Sequence, residues 1–226
     1  MTMVRTAFEG WQRSRPTAAE CSCAELRLSS RAEQLMVMPA SPTFERRYSL
    51  EEFERIRDDA PPGARYEFLD GEILVTPSPN LVHQRIVLRF ATLLEPFVRS
   101  TAVGELVVSP FDVRFGVRRV FQPDLLTMSP NDVRSGRRDA ARELLLAIEV
   151  VSPSSARHDR LKKRPAYQEE QVLELWVVDP ESELVERWRP GDERPEILTD
   201  KLMWAPPGTN ETLTVDLLTL FADAKR

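Results

Sequence analysis

The chain has 226 residues, 42% of them hydrophobic and 30% charged, a balance that supports one sizeable core and excludes disorder throughout. No apolar run approaches the roughly 20 residues that cross a bilayer, and the start lacks the basic and apolar stretches of a secretory signal, so a cytoplasmic protein with no membrane association is expected. A formal net charge of -5 excludes a protein that coats nucleic acid by charge alone and leaves open a localised, metal-screened site.

Residues 1–45 mix Ser, Ala, Arg and Glu without a sustained period and read as a poorly ordered extension, with Met36 and Met38 as alternative starts and the domain proper over 46–226. Cys21 and Cys23 are too close together to staple a fold and too few for a zinc site. Ser49-Leu50-Glu51-Glu52 has capping-box spacing and predicts a short helix to about Asp58, stopped by Pro61-Pro62-Gly63. Arg65 to Leu69, Asp70-Gly71 and Glu72 to Thr76 read as a hairpin. Val82, Ile86, Phe90, Leu93 and Phe97 recur at steps of three or four and predict a long amphipathic helix.

Short strands are expected over Gly104 to Val108, Phe111 to Phe115 and Val120 to Met128, followed by a polar loop from Asn131 to Ala141. The run Leu144 to Val151 does not alternate, which suits a central strand covered on both faces. Asp159 to about Gln171 reads as a helix in which Pro165 removes one hydrogen bond or sets the start. Leu173 to Val178 and Leu184 to Trp188 flank a turn and suit an antiparallel hairpin, and Leu213 to Phe221 reads as a strand with a short helix.

Two acidic residues stand out because their surroundings are apolar. Asp124 lies between Val120-Phe121 and Leu125-Leu126, and Glu149 is the one charge in the central strand. A carboxylate in such a place loses hydration unless it is paired. The bland reading of Glu149 is an arginine partner or a place at the strand end. The sharper reading is that both acids converge from neighbouring strands on one hard divalent cation, Mg²⁺ or Mn²⁺, with the Val150 carbonyl as a further ligand. A lysine would complete a phosphodiesterase site. Lys162 and Lys163 follow on the next helix, against a bland reading as a solvated face.

Several segments occur together and in order: Arg65 to Glu72, His83, Gln122-Pro123-Asp124, Ile148 to Ser154, Asp159 with Lys163 and Tyr167, and Trp176 to Pro180. The set resembles the Uma-two (Uma2) family, bacterial proteins classed as restriction endonucleases within the PD-(D/E)XK nuclease superfamily, over roughly residues 46 to 223. The resemblance implies an α/β (α+β) restriction-endonuclease-like fold, a mixed central sheet flanked by helices, with Mg²⁺-dependent hydrolysis of phosphodiester bonds in DNA. It makes Asp124 and Glu149 metal ligands and Lys163 the lysine of the site. The superfamily's usual place for that lysine, two residues after the second acid, is held here by Val151.

Glu72 matches an acidic residue that could hold a second metal or a water, against a solvated charge at the hairpin mouth. His83 could contact a phosphate or cap the long helix. Tyr66, Tyr167 and Trp176 are assigned to the core, with no binding role. Arg134, Arg137, Arg138 and Arg142 could touch a DNA backbone, although a solvated loop fits them better. The rival reading is an inactive nuclease-fold interaction or DNA-associated module. A homodimer is expected by symmetry and analogy, since cutting two strands calls for two sites.

Overall fold

The computed structural model describes residues 46–226 apart from 62, 137–139 and 153–154. The expectations for the extension, Met36, Met38, Cys21, Cys23, Arg137 and Arg138 concern residues outside this range. Helix α1 (Leu50–Asp58) opens with the expected capping box: Ser49 Oγ accepts from Glu52 N–H and the Glu52 carboxylate accepts from Ser49 N–H. Its Phe53 stacks on Phe68 of strand β1 (Ala64–Leu69) at 5.2 Å between ring centroids. β1 pairs antiparallel with β2 (Glu72–Pro77) through a turn at Asp70-Gly71, where φ is 48° and 92°. Positive φ at both positions is what a two-residue hairpin with the right strand twist needs.

Helix α2 (Leu81–Thr101) is the long amphipathic helix, with Asn80 as its N-cap. Its buried stripe is His83, Ile86, Val87, Phe90, Leu94 and Val98. Leu93, expected inside, is 40% exposed, and Phe97 is half-buried against Trp204. The stripe drifts because steps of three and four do not divide 3.6 evenly.

Strands β3 (Glu105–Val108) and β4 (Asp112–Phe115) follow, then β5 (Arg119–Phe121) and β6 (Leu125–Met128). The single strand expected over Val120 to Met128 is therefore two strands in different sheets. Pro123 has no N–H for a ladder, so the run breaks at Gln122-Pro123-Asp124 and the chain crosses from one sheet to the other. Gly104, just before β3, lies so close to the Met128 carbonyl that a Cβ would sit 2.0 Å from it, which fixes glycine there.

The loop expected at Asn131 to Ala141 holds a short helix, α3 (Pro130–Arg134), capped by Ser129, and a two-residue strand, β7 (Ala140–Ala141). β8 (Leu144–Val150) is buried at every position, as its apolar run requires. The expected single helix beyond it is three pieces: α4 (Ala156–His158), a π turn (Asp159–Lys163) and α5 (Arg164–Glu169), with Pro165 in the first turn of α5. A proline there sets a start rather than breaking a ladder. β9 (Glu174–Asp179) and β10 (Leu184–Trp188) form the expected hairpin, and β13 (Leu213–Asp216) leads into α6 (Leu217–Lys225). The strands β11 (Glu196–Leu198) and β12 (Lys201–Trp204) were not expected: both are short, β11 buries none of its residues fully, and only Leu202 and Trp204 of β12 reach the core.

The fold is mixed α/β. A six-stranded mixed sheet runs β11-β10-β9-β8-β6-β3, with β8 and β9 parallel and the other pairs antiparallel. On one face Leu146, Ile148 and Val150 pack with α2, α6 and the β12-β13 pair. On the other, Ala147 and Val177 pack with Tyr167 of α5 and with Val113, Phe115 and Phe121 of the five-stranded sheet β2-β1-β5-β4-β7. Alternation along β8 puts Glu149 on this second face, with Ala147.

Candidate active site

Three features of the chain converge at one cleft of about 260 Å³: the break between the sheets, the end of β8 and the π turn. Its walls include Arg65, Glu67, His83, Asp124, Glu149, Val150, Asp159 and Lys163. Asp124 is buried in the break. Its Oδ1 accepts from Arg65 at 2.7 Å, and its Oδ2 accepts from the Val150 N–H at 2.8 Å and lies 3.1 Å from His83 Nε2. Burial opposes ionisation of this carboxyl, but the hydrogen bond from His83 and the charge of Arg65 outweigh it and hold the pKa down at about 2.

Glu149 stands in the opposite balance. Its Oε1 accepts from the Tyr167 hydroxyl at 2.7 Å and pairs with Lys163 Nζ at 2.5 Å. Burial raises its pKa to about 8, and Lys163 only partly offsets burial and the charges of Asp159, Glu67 and Asp124. Lys163 is 2% exposed. Burial alone would favour a neutral amine, yet Glu149, Glu67 and Asp159 raise its pKa and keep it an ammonium. The Tyr167 hydroxyl is pushed well up, first by burial and then by Glu149, so it donates as a neutral phenol.

Asp124, Glu149, Val150, Lys163 and His83 thus share one cleft. Glu72 is not among its walls: at the start of β2 it pairs with Lys162, whose side chain is 39% exposed. The π turn sorts the two lysines, directing Lys163 into the interior and Lys162 to the hairpin mouth. His83 does not cap α2, because Asn80 Oδ1 takes the His83 N–H at 2.9 Å and frees the imidazole for Asp124. Trp176 is core, against Phe90 and Trp204, and Tyr66 packs in the cluster around Phe53. Tyr167 is core as well, but its hydroxyl also serves Glu149, a contact no apolar pattern reveals. Arg134 bonds to Asn131 on its own helix.

Sequence reasoning gave no role to Arg65, Glu67 or Asp159. The signal lay in spacing: Arg65 and Glu67 alternate with Tyr66 and Phe68 and so share one face of β1, and Asp159 stands four residues before Lys163.

Among the described residues no group of three His, Cys, Asp or Glu side chains is already arranged as a metal cage. The donor chemistry still suits one hard cation. Four buried carboxylates, Glu67, Asp124, Glu149 and Asp159, face two permanent cations, Arg65 and Lys163. Were all four ionised, as a bound cation would favour, they would exceed the two cations by two charges, which matches one divalent ion, and Mg²⁺ is commonly held by only one or two protein carboxylates with water completing its shell.

The Uma2 family, described as "Putative restriction endonuclease", matches residues 50–219. A solved structure of "a putative nuclease belonging to DUF820" from Anabaena variabilis ATCC 29413 has a TM-score of 0.64 and 20% identity to the chain, covering 78% of it and 99% of its own length. At that identity the likeness concerns the fold alone. No curated protein matches the chain.

Proposed function

The chain belongs to the Uma2 family, and from that premise we propose that it is a metal-dependent endonuclease that hydrolyses phosphodiester bonds in DNA. The observation that carries this reading is the cleft itself, where Asp124, Glu149 and the Lys163 ammonium meet among four buried carboxyl groups. Asp124, Glu149 and the Val150 carbonyl would hold Mg²⁺ or Mn²⁺. Bound there, the ion would supply Lewis-acid activation of phosphate and water.

The chain's own residues supply the rest. Arg65 and His83 aim the Asp124 carboxylate, Tyr167 steadies Glu149, and Lys163 offers positive charge to the phosphate oxygens as charge grows on them, or a hydrogen bond to the attacking water. His83 directs its Nε2 at Asp124 Oδ2, and its Nδ1 is buried without a hydrogen-bond partner among the described residues. Glu72 stays outside this reading, since Lys162 engages it. A homodimer would bring two such clefts to a duplex.

A second reading has its own support: Asp124, Glu149 and Lys163 all have protein partners, as a retired site serving only interaction would need. One experiment separates the two. Pure protein is incubated with supercoiled, linear and single-stranded DNA in Mg²⁺ or Mn²⁺ beside Glu149→Ala, and cation binding is followed by calorimetry. Cleavage that needs the cation and Glu149 supports the nuclease. A folded protein that neither cuts nor binds the cation supports the interaction module.

A further inference from the structure

Lys163 has no strand to fix it. Its backbone lies in the π turn, off both sheets, and its long side chain has many rotamers to choose among. The ammonium is placed instead by carboxylates. Glu149 reaches it at 2.5 Å, but in the proposed reaction Glu149 also serves the cation, so its charge is shared. Asp159 is 3.6 Å away, beyond a hydrogen bond. Glu67 engages the ammonium with both oxygens, Oε1 at 2.9 Å and Oε2 at 3.1 Å.

The same Glu67 Oε1 accepts the main-chain N–H of Gln122 at 2.7 Å. Arg65, two positions earlier on the same face of β1, donates to the Gln122 carbonyl at 2.8 Å and to Asp124 at 2.7 Å. Both main-chain groups of Gln122 are therefore held by β1 at the point where the chain changes sheets. Nothing in the hairpin or the core requires this: Glu67 is 2% exposed, and burying an acid there costs desolvation that an apolar residue would avoid.

We propose that Glu67 is a positioning residue: it fixes the Lys163 ammonium and the Gln122-Pro123-Asp124 turn to one rigid strand, so that ammonium and Asp124 carboxylate keep a set separation. Its consequence for turnover rests on the nuclease reading, whereas its hold on the ammonium does not.

Glu67→Gln tests this. The amide keeps the volume and an oxygen for Gln122 N–H, but that one oxygen is neutral and cannot also grip the ammonium from two sides. The first readout is the ¹⁵N–¹H signal of the Lys163 ammonium, identified by its loss in Lys163→Arg. A buried, ion-paired ammonium exchanges its protons slowly with water and gives a distinct signal. The second is the kinetics of DNA cleavage with Mg²⁺.

In Glu67→Gln the exchange lifetime should fall at least tenfold and kcat at least tenfold, with KM and Mg²⁺ affinity within threefold. An unchanged lifetime overturns the proposal, and so does a shortened lifetime with full kcat. If Glu67→Gln does not fold, Glu67→Asp takes its place: the acid keeps its charge but is one methylene too short to reach both partners, and the same two outcomes decide. Should the wild-type protein cut no DNA, the nuclease reading fails, and the ammonium lifetime alone supports or overturns the hold by Glu67.

Discussion

Two places among the described residues set one cation among three carboxylates, and they differ in water. At the cleft, Lys163 (side chain 2% exposed) meets Glu67, Glu149 and Asp159, which are 3%, 4% and 7% exposed. At the far end of α5, Arg119 (6%) meets Asp70, Glu170 and Glu169, which are 29%, 32% and 64% exposed. The Arg119 cluster ties the hairpin turn to the end of α5, and its acids keep much of their hydration. Such a fastening is cheap and modestly stabilising. The Lys163 cluster is dry, and a dry cluster of this kind gains less from attraction than it loses in hydration unless its geometry is excellent. Stability explains the first cluster. The second is where the proposed chemistry would take place.

The comparison breaks or holds first on stability. Replacing Lys163 with Met leaves dry carboxylates without their cation and should cost about 3–5 kcal/mol. Arg119→Met leaves acids that water can reach and should cost about 1 kcal/mol. Urea unfolding of the two variants measures both, and equal losses would show that dryness does not separate the clusters. A divalent cation should then recover part of the loss in Lys163→Met, seen as a rise in Tm with Mg²⁺ larger than in the wild type, and none in Arg119→Met.

Turnover gives the next contrast. Lys163→Ala should slow DNA cleavage at least about a hundredfold, near 2.7 kcal/mol of barrier. Lys162→Ala, which frees Glu72 at the hairpin mouth, should cost under about tenfold, and Arg119→Met less still. A loss at Lys162 as large as at Lys163 would place the wrong lysine in the cleft.

How much of this was legible beforehand follows from the kind of signal each part leaves. The central strand β8, the hairpin at Asp70-Gly71, the capping box of α1 and the existence of the long helix α2 are written in local apolar period and turn chemistry, and they read correctly, whereas of the positions read as the inner face of α2 only Ile86 and Phe90 are fully buried. Glu149 and Asp124 drew notice because charge amid apolar residues is visible in one dimension. The break of the β5–β6 run was hidden because an apolar run does not say which sheet each half joins; only Pro123 hinted at it. Glu67 and Arg65 were hidden because their partners lie more than fifty residues away. The π turn was hidden because it changes the facing of Asp159 and Lys163 without changing composition.

The smallest expected effect is also the most specific to the dry cluster. The pKa of Glu149 is raised in the folded protein from the ordinary 4.5 to about 8, chiefly by burial. A group whose folded pKa is raised contributes stability that is complete below pH 4.5 and fades as pH climbs through 8. Glu149→Gln, which mimics the protonated acid, should therefore shift Tm by no more than a degree or two at pH 5 and below, where the wild-type acid is largely protonated folded and unfolded alike. As pH climbs from 4.5 through 8 the unfolded wild type gives up a proton that the folded protein keeps, a loss the amide does not share, so without a divalent cation the variant should be the more stable protein by pH 7 and remain so at pH 9. Addition of Mg²⁺ at pH 9 should reverse the order, because only the wild type offers the ion a full carboxylate. The Arg119 cluster predicts the contrary slope: Asp70, despite some burial, is held below its ordinary range by Arg119 and Arg118, so its contribution is present at both pH 7 and pH 9 and fades only in acid. Thermal melts of Glu149→Gln and Asp70→Asn at pH 5, 7 and 9, with and without Mg²⁺, read both slopes, and a Glu149→Gln protein that loses stability relative to wild type as pH rises in the absence of Mg²⁺ would remove the dry cluster's claim to a cation.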